Sequence, residues 1–187
     1  MLDGGEKSIS SLKLAEIVAV NPWQIRKDFS YFGEFGVRGV GYDIKKLIEQ
    51  ISKILKLDTG RKAALVGVGN LGSAVLSYPG FSIYGFTIAA AFDADQKKIG
   101  KKKNNITIED ISTLSTLKKR NIDIGIIAVP QSAAQQTADA LVQAGVNGIL
   151  NFSPCYINVS KKIKVITIDI AMDLARLPYY MPTGSNK

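Results

Sequence analysis

The stretch Gly67-Val68-Gly69-Asn70-Leu71-Gly72 constrains the fold more than any other part of the chain. It follows the apolar run Ala63-Ala64-Leu65-Val66 and opens onto Ser73-Ala74-Val75-Leu76. Strand, glycine turn and helix start, in that order, form the context in which a G-x-G-x-x-G pattern carries meaning. The first glycine permits the tight turn, the second lets the backbone approach a pyrophosphate, and the third lets the helix pack close to the strand. The free N–H groups at the helix N-terminus then face the phosphates. A second apolar run, Ile88-Ala89-Ala90-Ala91-Phe92, ends in Asp93, 21 residues after Gly72. A carboxylate at that distance accepts a hydrogen bond from an adenosine ribose 2′-OH. It also repels a 2′-phosphate, which favours NAD(H) over NADP(H).

From residue 62 onward the pattern repeats strand and helix. Glu109-Asp110 opens a modest helix to about Lys119, residues 122–129 read as a buried strand ending at Pro130, and residues 131–144 as an alanine-rich helix stopped by Gly145. Gly148-Ile149-Leu150-Asn151 and Lys164-Val165-Ile166-Thr167-Ile168 are two more strands, and a last helix spans about 171–180. Such alternation predicts a doubly wound parallel sheet, whose ligands bind beyond the strand C-termini. Beyond those ends lie Gly67, Val68, Gly69, Asn70, Leu71, Gly72, Asp93, Val129, Pro130, Asn151, Ser153 and Asp169.

The first 60 residues read differently. Residues 1–8 are a short polar start, and Ser10 or Ser11 caps a helix from about Leu12 to Val20. Asn21-Pro22 starts a second helix, to Phe32, because Asn caps well and Pro suits the first helical position. Trp23, Ile25, Phe29 and Phe32 supply its buried side, while Gln24, Arg26, Lys27, Ser30 and Tyr31 project outward. Two short helices with a tight turn resemble a helix-turn-helix, whose second helix enters a major groove. The glycine-rich residues 33–42 then predict a β-hairpin, a wing with Arg38 at its tip, and residues 43–56 an amphipathic helix. The alternative is a small helical cap on the nucleotide domain. Leu57-Asp58-Thr59-Gly60 reads as the linker.

Composition narrows the function classes. The chain of 187 residues contains no histidine, which removes His-based acid–base chemistry and histidine metal sites. Its net charge of +8 is spread, since residues 1–56 hold nine Lys/Arg against seven Asp/Glu. Lys97-Lys98 and Lys101-Lys102-Lys103 read as a solvated loop. No apolar run reaches a membrane span, nothing reads as a signal peptide, and the one cysteine, Cys155, has no internal partner, so a reducing cytoplasm is the expected setting.

Several segments together resemble the Rex family of redox-sensing transcriptional repressors. They are Gln24 to Gly33, Arg38-Gly39-Val40-Gly41-Tyr42, Gly67 to Gly72, Tyr78-Pro79-Gly80-Phe81, Ala91-Phe92-Asp93, and Gly148 to Pro154. The resemblance spans about Lys7 to Tyr180. It implies a homodimer with an N-terminal winged-helix domain (residues 1–58), a Rossmann-type NAD(H) domain (59–170), and a C-terminal domain-swapped helix with its tail (171–187). It implies that an AT-rich inverted-repeat operator is bound when NADH is scarce and left when NADH rises, with NAD+ competing. Arg26 and Lys27 match the recognition-helix basic pair, and Arg38-Gly39 the wing tip. Tyr78 matches a tyrosine near the nicotinamide that bonds to the partner's aspartate at the position of Asp169, and Ile170 an apolar residue against the nicotinamide. Leu174, Leu177 and Tyr180 would be the swapped helix's buried contacts. Family members carry a full amphipathic helix ahead of the segment matching Lys7 to Ser11. This chain has only Met1 to Glu6 there, so its winged helix is expected to lack that first helix.

Two other classes stay open from the residues alone. A small NAD-dependent oxidoreductase would need a proton donor, and Tyr42-x-x-x-Lys46 has the spacing of a Tyr/Lys pair but precedes the glycine motif. A CoA- or nucleotide-binding module would use a related sheet, although Asp93 opposes the 3′-phosphate of CoA.

Overall fold

The computed structural model describes residues 6–33, 36–37 and 40–181. The chain divides into two compact units, Met1–Thr59 and Gly60–Lys187.

In the first unit, strand β1 (Ser8–Ile9) precedes helices α1 (Ser11–Val18) and α2 (Pro22–Ser30). Ser10 caps α1 by accepting from the Lys13 N–H at 3.1 Å, and Asn21 caps α2 by accepting from the Trp23 N–H at 2.8 Å. Ala19, left-handed at φ 53°, ends α1 and makes the tight turn between the helices. Strands β2 (Gly36–Val37) and β3 (Gly41–Asp43) follow, then helix α3 (Ile44–Ile54), capped by Asp43. The three strands form an antiparallel sheet in the order β1-β3-β2. Strand β1 falls in and just after the stretch expected to be a loose start. It forms because β3 offers Ser8 and Ile9 an edge to pair with. Ala15, Ile25, Tyr42 and Leu47 make the small core, and Phe29 packs edge-on against Tyr42 with ring centroids 5.1 Å apart.

The second unit is a seven-stranded sheet in the order β10-β9-β8-β4-β5-β7-β6. Its strands are β4 (Arg61–Val66), β5 (Phe86–Asp93), β6 (Lys102–Lys103), β7 (Ile106–Asp110), β8 (Ile124–Ile127), β9 (Gly148–Asn151) and β10 (Lys164–Thr167). All neighbouring pairs are parallel except β6 with β7, which is antiparallel. The β6–β7 hairpin falls on residues read from sequence as a loop and a helix start; Asn104 and Asn105, both at positive φ, make its turn. The helix expected over 109–119 is instead the end of β7 followed by two 3-10 turns, Ile111–Thr116 and Lys118–Arg120. Asp110 accepts from the Ser112 N–H, and the Thr113 hydroxyl donates back to the Asp110 carbonyl, the local bonding by which Ser, Thr and Asp compete with an α-helix.

Along β4 the side chains alternate between two cores. Ala64 and Val66 face a cluster with Phe92, Leu117, Ile127 and helix α6 (Gln131–Gln143), which contributes Ala134, Ala138 and Leu141. Ala63 and Leu65 face the other side with Val75 and Leu76 of α4 (Asn70–Ser77), next to the short α5 (Gly80–Ile83). On that second side Ile124, Ile126, Leu150 and Ile166 line an open apolar groove of about 390 Å³ with Phe86 and Tyr84. The last helix, α7 (Ile170–Tyr180), buries none of its residues. No described helix is long and apolar enough to cross a membrane.

Leu141 is fully buried, and its methyl groups lie over Gly125. Leu141→Ala is expected to destabilise the second unit by about 2–5 kcal/mol, the range for a truncated core leucine. Urea unfolding followed by far-ultraviolet circular dichroism measures this.

Candidate functional site

Strand order places the site. From β4 the chain steps one way to β5 and β7, and then crosses back to β8 on the other side of β4. The crevice at that reversal, at the strand carboxyl ends, is where open α/β sheets bind ligands. Backbone bonds fix the chain as it leaves each strand. The Gly67 N–H donates to Phe92 O, Ala128 N–H to Val66 O, Phe152 N–H to Ile127 O, and Ile168 N–H to Asn151 O.

The glycine turn fits a pyrophosphate cradle. Gly67 has φ +95°, and a Cβ on it would stand 2.5 Å from Ala128 O. A Cβ on Gly72 would stand 1.9 Å from Gly67 O, so α4 approaches β4 as only glycine allows. Gly69 is the N-cap of α4 without a side-chain cap, and a Cβ there would meet open space. That space, beside the N–H groups that open α4, is what a phosphate requires. Val68 and Gly72 are buried, while Asn70 and Leu71 are exposed on the first turn.

Asp93 is buried at 8% exposure and already bonded. Its Oδ2 accepts from the Val68 N–H at 2.8 Å and from Lys98 Nζ at 2.9 Å, and its Oδ1 accepts from the Asp95 N–H at 2.9 Å. Burial pushes its pKa up, but these hydrogen bonds and the Lys98 charge outweigh burial and hold it below its ordinary value. Lys98 therefore departs from the solvated loop read from sequence. The spacing of five residues to Asp93, after the run Asp93-Ala94-Asp95, is the signal that could have found it.

The other expected residues divide by burial. Asn151 and Ser153 are almost fully enclosed. Asn151 Nδ2 donates to the carbonyls of Ser153 and Cys155 and to the Thr167 hydroxyl, and its Oδ1 accepts from the Ser153 N–H. The Ser153 hydroxyl donates to Val129 O at 2.6 Å, which ties the β9 end to Val129-Pro130. Tyr78 is 61% exposed and packs edge-on against Phe81, with centroids 5.3 Å apart. Its ring lies where a Cβ on Gly80 would stand, at 2.4 Å. Asp169 caps α7 by accepting from the Met172 N–H, and Ile170 is exposed.

In the first unit, α2 carries Gln24, Arg26, Lys27 and Ser30, and Tyr31 is its C-cap. Gln24 bonds to Asp28, Arg26 Nη1 donates to the Ser11 hydroxyl at 3.0 Å, and Ser30 donates to Lys27 O. Trp23 and Phe32, expected in the core, are exposed. Lys27 Nζ lies 4.9 Å from the Trp23 ring centroid, so the indole faces solvent under a cation. Arg38 and Gly39 of the wing tip lie outside the described residues, as does Met1 to Gly5 of the segment where the first helix was expected to be missing.

Comparison with known proteins decides the family. A model described as "CoA binding domain" matches residues 58–155, and one described as "Putative DNA-binding protein N-terminus" matches residues 1–30. The redox-sensing transcriptional repressor Rex of Syntrophobacter fumaroxidans is 44% identical over 187 residues, covering 99% of this chain and 89% of that one. The chain belongs to the Rex family. Its fold agrees with that of RSP, a Rex-family repressor. The structure of RSP with beta-NAD+ and operator DNA matches at a TM-score of 0.90 and 36% identity, covering 96% of this chain and 83% of that one. The structure of RSP with beta-NADH matches at 0.84 and 34%, covering 96% and 84%. Rex-family relatives are named as repressors, not enzymes, which leaves Tyr42 and Lys46 without a catalytic reading; Tyr42 is core and Lys46 exposed.

Two outcomes are expected at this site. Gly72→Ala forces α4 off Gly67 O and is expected to cost about 1–3 kcal/mol of stability, as overpacking does. Its binding of dinucleotide falls with it, as titration calorimetry reads. The Asp93 contribution is complete above its ordinary pKa of 3.8 and disappears as pH falls through the lower folded-state value. The thermal midpoint of Asp93→Asn is therefore expected to lie below that of the native chain at neutral pH, and the gap to close on acidification.

Proposed function

We propose that the chain is a redox-sensing transcriptional repressor that binds operator DNA as a homodimer and leaves it when NADH is bound. The observation that carries the reading is the joining, in one chain, of a helix-turn-helix unit and a dinucleotide cradle with a buried acid at its ribose end. The relatives named for redox sensing, and the RSP structures with beta-NAD+, beta-NADH and operator DNA, give that pairing its function.

The residues fit the cofactor. Gly67 to Gly72 would hold the pyrophosphate, Asp93 the adenosine ribose, and Val129-Pro130, positioned by Ser153 and Asn151, one wall of the crevice. Tyr78 and Ile170 would lie at the nicotinamide end, with Asp169 of the second protomer as the bonding partner of Tyr78. The bound dinucleotide is a ligand whose redox state is read, not a reactant. Arg26 and Lys27 would contact DNA from α2 with Gln24, Ser30 and Tyr31, and Arg38-Gly39 from the wing, on an AT-rich inverted repeat whose symmetry mirrors the dimer. The exposed apolar residues of α7, Leu174, Leu177 and Tyr180, support a helix that packs on a partner chain. The proposed domains are 1–58, 59–170 and 171–187, and the setting is the cytoplasm.

The physical requirement is differential affinity. The dimer leaves DNA only if NADH binds the DNA-incompetent arrangement more tightly than the competent one. In a fluorescence anisotropy titration on a labelled AT-rich inverted-repeat duplex, NADH is expected to reverse binding at much lower concentration than NAD+. Tyr78→Phe is expected to bind DNA but to blunt the NADH response. A full NADH response in that variant would remove the Tyr78–Asp169 contact from the switch.

A further inference from the structure

The ribose end of the site holds a feature that the glycine motif does not explain. An ionised carboxylate offers about four lone-pair positions. Asp93 has three occupied within the chain, by the Val68 and Asp95 N–H groups and by Lys98 Nζ. One position remains, on Oδ1, for a ribose that presents two vicinal hydroxyls.

The chain brings a second group to the same place by construction. Asp93 Oδ1 accepts from the Asp95 N–H, and Asp95 Oδ1 accepts from the Lys97 N–H, two consecutive Asx turns. The Lys98 and Ile99 N–H groups then close a helical turn on Asp95 O. Gln96 is bonded to Asp110 at the end of β7, and the Gly100 N–H to Ile108 O, so both flanks of the turn are tied to the sheet. This geometry returns the Lys98 ammonium to the carboxylate five residues before it. Its side chain is 36% exposed against 10% for that of Asp93. Of its three N–H donors one is used on Asp93, leaving two on the open side. Lys97, Lys101, Lys102 and Lys103 are all exposed, and among the described residues Lys98 alone of this cluster is ion-paired.

We propose that Lys98 is the second half of the ribose clamp: it donates to one ribose hydroxyl while the neighbouring hydroxyl donates to Asp93. The inference rests on the dinucleotide reading above and extends it. Lys98 then also sets the tolerance for a 2′-phosphate. The phosphate would meet an anion and a cation side by side, so discrimination against NADPH comes from the pair and not from Asp93 alone.

The test uses the full chain and calorimetric binding of NADH, of its 2′-deoxy- and 3′-deoxyadenosine analogues, and of NADPH. Lys98→Met is expected to weaken NADH about tenfold, the effect of losing one charge-assisted hydrogen bond, and Lys98→Arg to recover part of it. One deoxy analogue is expected to cost the native chain affinity while costing Lys98→Met little, which a lysine that only steadies Asp93 would not produce. NADPH is expected to weaken further in Lys98→Met and to strengthen in Asp93→Asn. The proposal is overturned if Lys98→Met, with an unchanged far-ultraviolet spectrum, binds NADH as the native chain does. It is equally overturned if both analogues cost the variant as much as they cost the native chain. A native chain that binds neither NADH nor NAD+ overturns the dinucleotide reading itself, and this proposal with it.

Discussion

The Asp93 carboxylate holds the binding end of the sheet together. One of its oxygens takes the Val68 N–H and so fixes the glycine turn after β4; both oxygens together organise the loop after β5 through Asp95 and Lys98. Two loops from neighbouring strands are thereby locked to one group. A buried charge is tolerable only when it is paired and hydrogen-bonded, and here the bonds that satisfy it also fix the glycine turn, through Val68, and the loop after β5, through Asp95 and Lys98. The same bonds hold both loops in place before any ligand arrives, and on the proposed reading this would lower the ordering cost of binding a dinucleotide ribose.

Other parts of the second unit lie open. The α7 helix buries none of its residues, Tyr78 is exposed, and an open apolar groove runs past Ile124, Ile126, Leu150 and the exposed Ile166. On the proposed reading, the bonded Asp93 loop would take the adenosine end of the dinucleotide, and exposed Tyr78 and Ile170 the nicotinamide end. On the same reading, affinity would come from the fixed part and the response from exposed surfaces that a second chain would cover.

The sequence was legible where local rules coincide with tertiary ones. The glycine turn, Asp93 at the end of β5, the caps Ser10 and Asn21, and the alternation of long parallel strands with helices all follow from spacing and residue type. It was less legible where pairing decides. Strand β1 is two residues long and exists because β3 lies beside it, and the β6–β7 hairpin hid in a lysine-rich stretch whose composition reads as a loop. Trp23 and Phe32 were placed in the core by a helical period, but in so short a helix only Ile25 is fully buried. Asn151 and Ser153 were legible as residues at a strand end, but not as a buried bonded network, because nothing in their spacing to Val129 records the carbonyl that Ser153 holds.

A repressor that senses NADH has to obey linkage: if the ligand weakens DNA binding by some factor, operator DNA must weaken ligand binding by the same factor. The most direct measurement is therefore the NADH dissociation constant by calorimetry with and without saturating operator duplex, set beside the operator affinity with and without NADH. The account predicts that DNA lowers NADH affinity, and that the two ratios agree. NADH affinity unchanged by operator, in a chain that binds both, would contradict it.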